Sequence, residues 1–176
     1  MMNMPSDFPV APTMGIGAAA PEANYELGSG DEAVSQLNSL LRGEISAAET
    51  YRNMLEKVKD GQCESCGALL REIQAEHGRA CQSIRDRIRE LGGQASDSSG
   101  AWGAWAQAVQ ETMSLFGGET GGIKALKEGE EHGLKDYQSS LDSLDPTSAQ
   151  LIQNQLIPQQ QKHIDLLDQL LKSNAH

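Results

Sequence analysis

Leu40-Leu41-Arg42-Gly43-Glu44-Ile45-Ser46-Ala47-Ala48-Glu49-Thr50-Tyr51 decides how this chain is read, because an echo of it returns further on. An offset of 86 positions carries Gly43, Glu44 and Tyr51 onto Gly129, Glu130 and Tyr137. The same offset carries Leu55 to Leu141, Leu70 to Leu156, Gln74 to Gln160, His77 to His163 and Ile84 to Leu170. One constant offset over so long a span points to an internal duplication, and the repeated unit is read first. The unit is a helical hairpin whose apolar seam carries a Glu on one helix and Gln-x-x-His on the other.

Working outward, the first helix is expected from about Asp31 to Lys59. Ser29 or Asp31 caps it, and Asp31 and Glu32 suit the positive end of its dipole. Its seam is Val34, Leu37, Leu41, Glu44, Ala48, Tyr51, Leu55 and Val58, spaced by threes and fours as in a packed bundle. Asp60-Gly61 ends it. The second helix is expected over 64–91, with Leu70, Gln74, His77, Cys81, Ile84, Ile88 and Leu91 inward and Gly92-Gly93 as the stop. The short link makes the two helices antiparallel neighbours.

Residues 92–121 form a crossover. It opens as a Gly/Ser-rich loop and contains a short extra helix, Ala101 to Phe116, whose Trp102, Trp105, Val109, Met113 and Phe116 share one side. A connector of this length spans the bundle, and the expectation is that the third helix starts where the first began and runs in a comparable direction. That helix is expected over 122–144, with Ile123, Glu130, Leu134, Tyr137, Leu141 and Leu144 inward. Lys127 takes the place of Leu41, where it can snorkel. Asp145-Pro146 caps a fourth helix over 146–173, with Leu156, Gln160, His163, Leu167 and Leu170 inward. Pro158 should kink it, since it removes a backbone donor. Residues 1–29, rich in Met, Pro, Gly and Ala, read as a disordered or loosely docked arm ahead of the bundle at 30–176.

Composition narrows the function. A net charge of −11 argues against nucleic acid and against an anionic membrane surface. No apolar run reaches membrane-spanning length, and no Lys or Arg precedes Arg42, so no basic leader is recognised. Three cysteines do not make a disulfide framework, and a cytoplasmic location fits. Cys63-x-x-Cys66 reads as two loop thiols without an assigned role, with a redox pair as the lesser alternative, and Cys81 reads as a small core residue. No catalytic triad, phosphate loop or dinucleotide fingerprint occurs.

The polar seam residues carry the chemistry. Glu44, His77, Glu130 and His163 fall near mid-helix and should meet in one layer. Buried carboxylates are costly, and a transition-metal ion (Fe, Mn or Zn) is the simplest reason for gathering two of them with two imidazoles. Gln74 and Gln160 are weak ligands beside the histidines, and Tyr51 and Tyr137 can donate hydrogen bonds to the site. Gly43 and Gly129 are read as allowing close helix approach. Glu76 and Glu131 stand one position off the seam as second choices, and His132 points outward.

This layout resembles the ferritin-like di-iron carboxylate proteins: Glu, then Glu-x-x-His, a long crossover, Glu, and Glu-x-x-His again. The likeness runs from about Asp31 to Ser173 and is greatest to a bacterial branch of ferritin-like bundles of unknown function, through Glu130-Glu131-His132-Gly133-Leu134-Lys135-Asp136-Tyr137 and Leu91-Gly92-Gly93. It implies an all-α four-helix bundle with Glu44, His77, Glu130 and His163 as ligands and a role in iron or metal handling or the stress response. The departure is that both bridging Glu positions are Gln, which disfavours di-iron oxidase or ferroxidase activity. The alternative is a metal-free structural or protein-interaction bundle in which Glu44–His77 and Glu130–His163 are buried pairs fixing helix register. Self-association, a protein partner and the identity of the metal are left open.

Overall fold

The computed structural model describes residues 26–58, 64–100 and 118–173. Helix α1 spans Glu26–Val58 and α2 spans Glu64–Glu90. After the crossover, α3 spans Gly118–Ser140 and tightens into a 3₁₀ turn at Leu141–Ser143. The last helix has three parts: α4 (Pro146–Leu151), a π-helical turn (Ile152–Leu156) and α5 (Ile157–Ser173). No strand occurs among the described residues. The fold is therefore an all-α bundle whose long helices close a ring: α1 packs on α2, α2 on α5, α5 on α3 and α3 on α1.

The seam spacing is what folds the chain. Leu37, Leu40, Leu41, Ile45, Ala80, Cys81, Ile84, Ile88, Tyr137, Ile152 and Leu156 form one apolar cluster. Tyr51, Met54, Leu55, Leu70, Ile73, Ile123, Leu126 and Leu167 form a second. Between the two, Glu44, His77, Glu130 and His163 are buried as a polar layer. Burial of these apolar stripes supplies the main driving force.

The order of contacts along the helices gives their directions. Residue 51 of α1 meets residue 130 of α3, and residue 44 meets residue 137. So α3 runs antiparallel to α1, against the expectation of a shared direction. The reason lies in the connector. It leaves α2 beside the start of α1 and climbs along that helix. Asn38 Nδ2 donates to the Gln94 carbonyl, Arg42 Nη1 to Ser96 Oγ, and Ser99 Oγ to Glu49. Its described part, up to residue 100, thus rises toward the end where α1 finishes, and the antiparallel pairing puts the start of α3 at that end.

Boundaries differ modestly from the seam reading. Helix α1 begins at Glu26, before the expected caps, because a helix can extend backward through glycine when its later turns are packed. Helix α3 begins at Gly118 rather than 122 and gives way to the 3₁₀ turn after Ser140. The stop at the end of α2 is as anticipated: Gly92 has φ +75, Gly92 N donates to the Arg89 carbonyl and Gly93 N to the Ile88 carbonyl. Asp145 caps α4 by accepting from the backbone N–H groups of Thr147 and Ser148, with Pro146 at the first helical position. The irregularity expected at Pro158 appears as the π turn just before it. A proline at 158 leaves the Asn154 carbonyl without its helical donor, and Asn154 lies in that turn.

The expected arm lies almost wholly outside the described residues, and so do the crossover helix with Trp102 and Trp105 and also Cys63. Cys66 lies in the first turn of α2, is buried and is disulfide-bonded, which corrects the reading of two thiols without a role. Cys81 is a buried free thiol, and burial pushes its pKa up to about 12. No helix among the described residues is long and apolar enough to cross a membrane.

Candidate metal centre

Each of the four long helices brings one ionisable side chain to the same depth, since each places it near mid-seam. The Nδ1 atom of His77 lies 2.9 Å from Glu44 Oε2, and its Nε2 lies 3.0 Å from Glu130 Oε1. The His163 Nδ1 atom lies 3.2 Å from Glu130 Oε2. Glu130 thus sits between the two imidazoles, whose centroids are 5.0 Å apart. The Tyr51 hydroxyl donates to Glu130 Oε1 and the Tyr137 hydroxyl to Glu44 Oε1, each at 2.6 Å. These two bonds exchange under the 86-residue offset, as do His77–Glu44 and His163–Glu130.

One contact breaks that correspondence. The outer nitrogen of His163, Nε2, lies 2.6 Å from Glu76 Oε2, while its counterpart on His77 faces Glu130. The offset pairs Glu76 with Lys162, and these two side chains meet at 3.1 Å. Lys162 also holds Glu72. Glu76, a second choice from the sequence, therefore belongs to the cluster. Glu131 instead pairs with Lys127 on the surface, and Lys127 also holds Asp168. The offset sets an acid against a base here, but it does so elsewhere as well, as at Glu49 and Lys135, so the sequence does not single out this contact.

The glutamines divide. Gln160 is buried, and its amide donates to the Glu130 carbonyl at 3.0 Å. Gln74 is only half-buried, and Ile73 takes the inward place on α2 instead. From Leu70 to His77, steps of three then four or of four then three both keep the stripe, so spacing cannot choose between 73 and 74. Packing against the neighbouring helices settles it in favour of the apolar Ile73. At the equivalent position, Gln159 has no such advantage, and Gln160 turns in. Gly43 also departs from expectation: a methyl group there would meet nothing within 4 Å, so it permits no close helix approach. His132 is exposed and 3.6 Å from Asp136.

The electrostatics follow from burial against pairing. Burial alone would press the His77 pKa down, but the Glu130 and Glu44 carboxylates hold it well above the usual imidazole range. Burial raises Glu130, yet His77 and His163 bring it down to about 2. Both tyrosines are pushed well above 10.0 by burial and by the carboxylates they serve. For Glu76, burial pushes upward, and the bonds from His163 and Lys162 outweigh it, so its pKa falls. One ligand atom each from His77, Glu130 and His163 lie within 4.8 Å of one another, a spacing that one ion could bridge. Imidazole nitrogen and carboxylate oxygen are donors for first-row divalent ions.

Comparison with known proteins agrees with this architecture. Residues 32–143 match the family described as Domain of unknown function (DUF2383), and the chain belongs to that family. The bundle also superposes on a crystal structure of ferritin-like, diiron-carboxylate proteins from Bacillus anthracis str. Ames, with a TM-score of 0.63 and 15% identity over 81% of this chain and 97% of that one. The fold is therefore that of a ferritin-like bundle. No curated protein matches the chain.

Proposed function

We propose that the protein binds a single divalent transition-metal ion through the inner nitrogens of His77 and His163 and the carboxylate of Glu130. Glu44 and Glu76 then hold the outer nitrogens of the two rings. This is the carboxylate–histidine–metal arrangement that fixes ring orientation and raises ligand basicity. The observation that carries the reading is the 4.8 Å gathering of His77, Glu130 and His163 in a buried layer. Of the four ligands expected from the sequence, Glu44 becomes a positioning carboxylate, because its contacts are to His77 Nδ1 and Tyr137.

A single ion fits better than a pair. At one bridging position Gln160 spends its amide on a backbone carbonyl, and at the other Gln74 stands half-exposed. Neither supplies the negative charge that two adjacent cations require. We therefore favour metal binding or handling, with Fe, Mn or Zn as the ion, over oxygen activation at a di-iron pair. A bound dication supplies Lewis acidity. The chain's own residues orient the imidazoles and leave the inner nitrogens to ligate, any proton on them being displaced when the ion binds. The test is metal content after purification without chelator. Less than about a tenth of an equivalent of Fe, Mn and Zn, with no thermal shift on adding them, would falsify the reading, because a specific ligand raises apparent stability.

One observation favours the metal-free alternative: the cluster already satisfies its polar atoms internally, through Tyr51, Tyr137, both histidines and Gln160. In that reading the Glu44→Ala plus Glu130→Ala variant loses stability but changes no metal content. Metal retained by the wild type and lost in that variant decides against it.

A further inference from the structure

A cavity of about 140 Å³ lies between α1 and α3. Its floor is the buried cluster itself: Glu44, Tyr51, His77, Glu130 and Tyr137. Its outer lining includes the exposed His132 and Ser139 and the half-buried Gln36 and Asp136, so it runs from the surface to the centre. Small residues keep it open, namely Gly43, Ala47, Gly129 and Gly133. Among the described residues that line it there is no Lys or Arg, and the charged ones include Glu44, Glu130 and Asp136. The volume takes several waters, enough for a partly hydrated ion.

The opposite approach has the reverse character. His163 does not line the cavity, and its outer nitrogen is closed off by Glu76. Glu76 is in turn held by Lys162, which also grips Glu72. A cation arriving there would meet an ammonium group and a closed ion pair. That approach is closed by these ion pairs, whereas the cleft is open and carries carboxylates that attract a cation.

We infer that the α1–α3 cleft is the entry route by which a divalent cation reaches His77 and Glu130, with Gly43 as its open doorway. This rests on the metal-binding reading above. The doorway can be tested because a Cβ added at Gly43 meets no atom within 4 Å, so a side chain can branch from that wall of the cleft without a clash at its root. A plug in a route changes the barrier but not the end states, so it slows entry and exit alike.

The experiment is stopped-flow binding of Co²⁺ to the metal-free full chain, read by its visible absorption, with release followed by chelator chase. Gly43→Leu should slow association and dissociation by about tenfold or more while Kd stays within about threefold. Ala47→Leu, a second plug on the same wall, should do likewise. Gly30→Leu, an equally open glycine on α1 away from the cleft, should exchange at the wild-type rate. Wild-type rates in both plugged variants overturn the route while leaving the centre standing. A wild-type protein that takes up no Co²⁺ overturns the centre and the route together.

Discussion

Glu130 touches His77, His163 and the Tyr51 hydroxyl at once, so the consequences of changing it are the largest at this scale. Glu130→Ala leaves a buried imidazolium without its main partner and should cost about 3–5 kcal/mol of stability, measured by chemical denaturation. Glu44→Gln and Glu76→Gln keep volume and remove only a charge behind each ring. They should weaken metal binding by about 10- to 100-fold in a competition titration while Glu130→Gln weakens it further. The sign of the pH effect in the metal-free protein follows from the same contacts. Glu130 is held at about 2 against an ordinary 4.5, so its stabilisation is present above 4.5 and fades as pH falls toward 2. His77 is raised above 6.5, so its stabilisation is complete below 6.5 and is lost only as pH climbs through its higher folded value. The denaturation midpoint should therefore hold between pH 5 and neutrality and drop by pH 3. An unchanged midpoint at pH 3 would contradict the assigned pairing.

At the scale of elements, two junctions set how the helices meet. A methyl group at Gly93 would sit 2.6 Å from Val34 Cγ1 and 3.1 Å from Ile88 Cγ2. Gly93→Ala should thus cost about 1–3 kcal/mol by forcing the connector off α1. Asp145 caps α4 and accepts from Arg87 Nη2 at 2.7 Å, tying the start of the fourth helix to the end of α2. Asp145→Ala should cost about 1–2 kcal/mol, and the loss of the cap should dominate because the ion pair is partly solvated. Both values come from denaturant titration. The caps and stops at these junctions are readable from Gly92-Gly93 and Asp145-Pro146, since they depend on local backbone preferences. The π turn is not: a proline announces that the helix must yield, but the packing of Ile152 and Leu156 determines how.

For the whole molecule, an ion held as proposed would tie α2, α3 and α5 directly and α1 through Glu44, so metal should act on global stability. At a free concentration a hundredfold above Kd it should add about 2.7 kcal/mol, seen as a rise in Tm, and the Glu44→Ala plus Glu130→Ala variant should show no rise. How much of this centre is legible beforehand depends on periodicity. Glu44, His77, Glu130, His163, Tyr51 and Tyr137 fall on unambiguous seam positions, and all six lie in the buried layer or bond to it. Gln74 sits where two spacings are equally good, and Glu76 sits one step off the stripe, so neither could be placed without neighbours.

By itself the sequence determined the four long helices, most of their inward stripes, the stop at Gly92-Gly93, the cap at Asp145-Pro146 and the polar residues at mid-seam, because these depend on short-range spacing and backbone preference. Only the tertiary structure decided that α3 opposes α1, that Glu76 rather than Gln74 joins the cluster, and that a cleft opens beside Gly43. Direction, rotation about a helix axis and empty space belong to packing between distant segments, and a one-dimensional pattern leaves them undetermined.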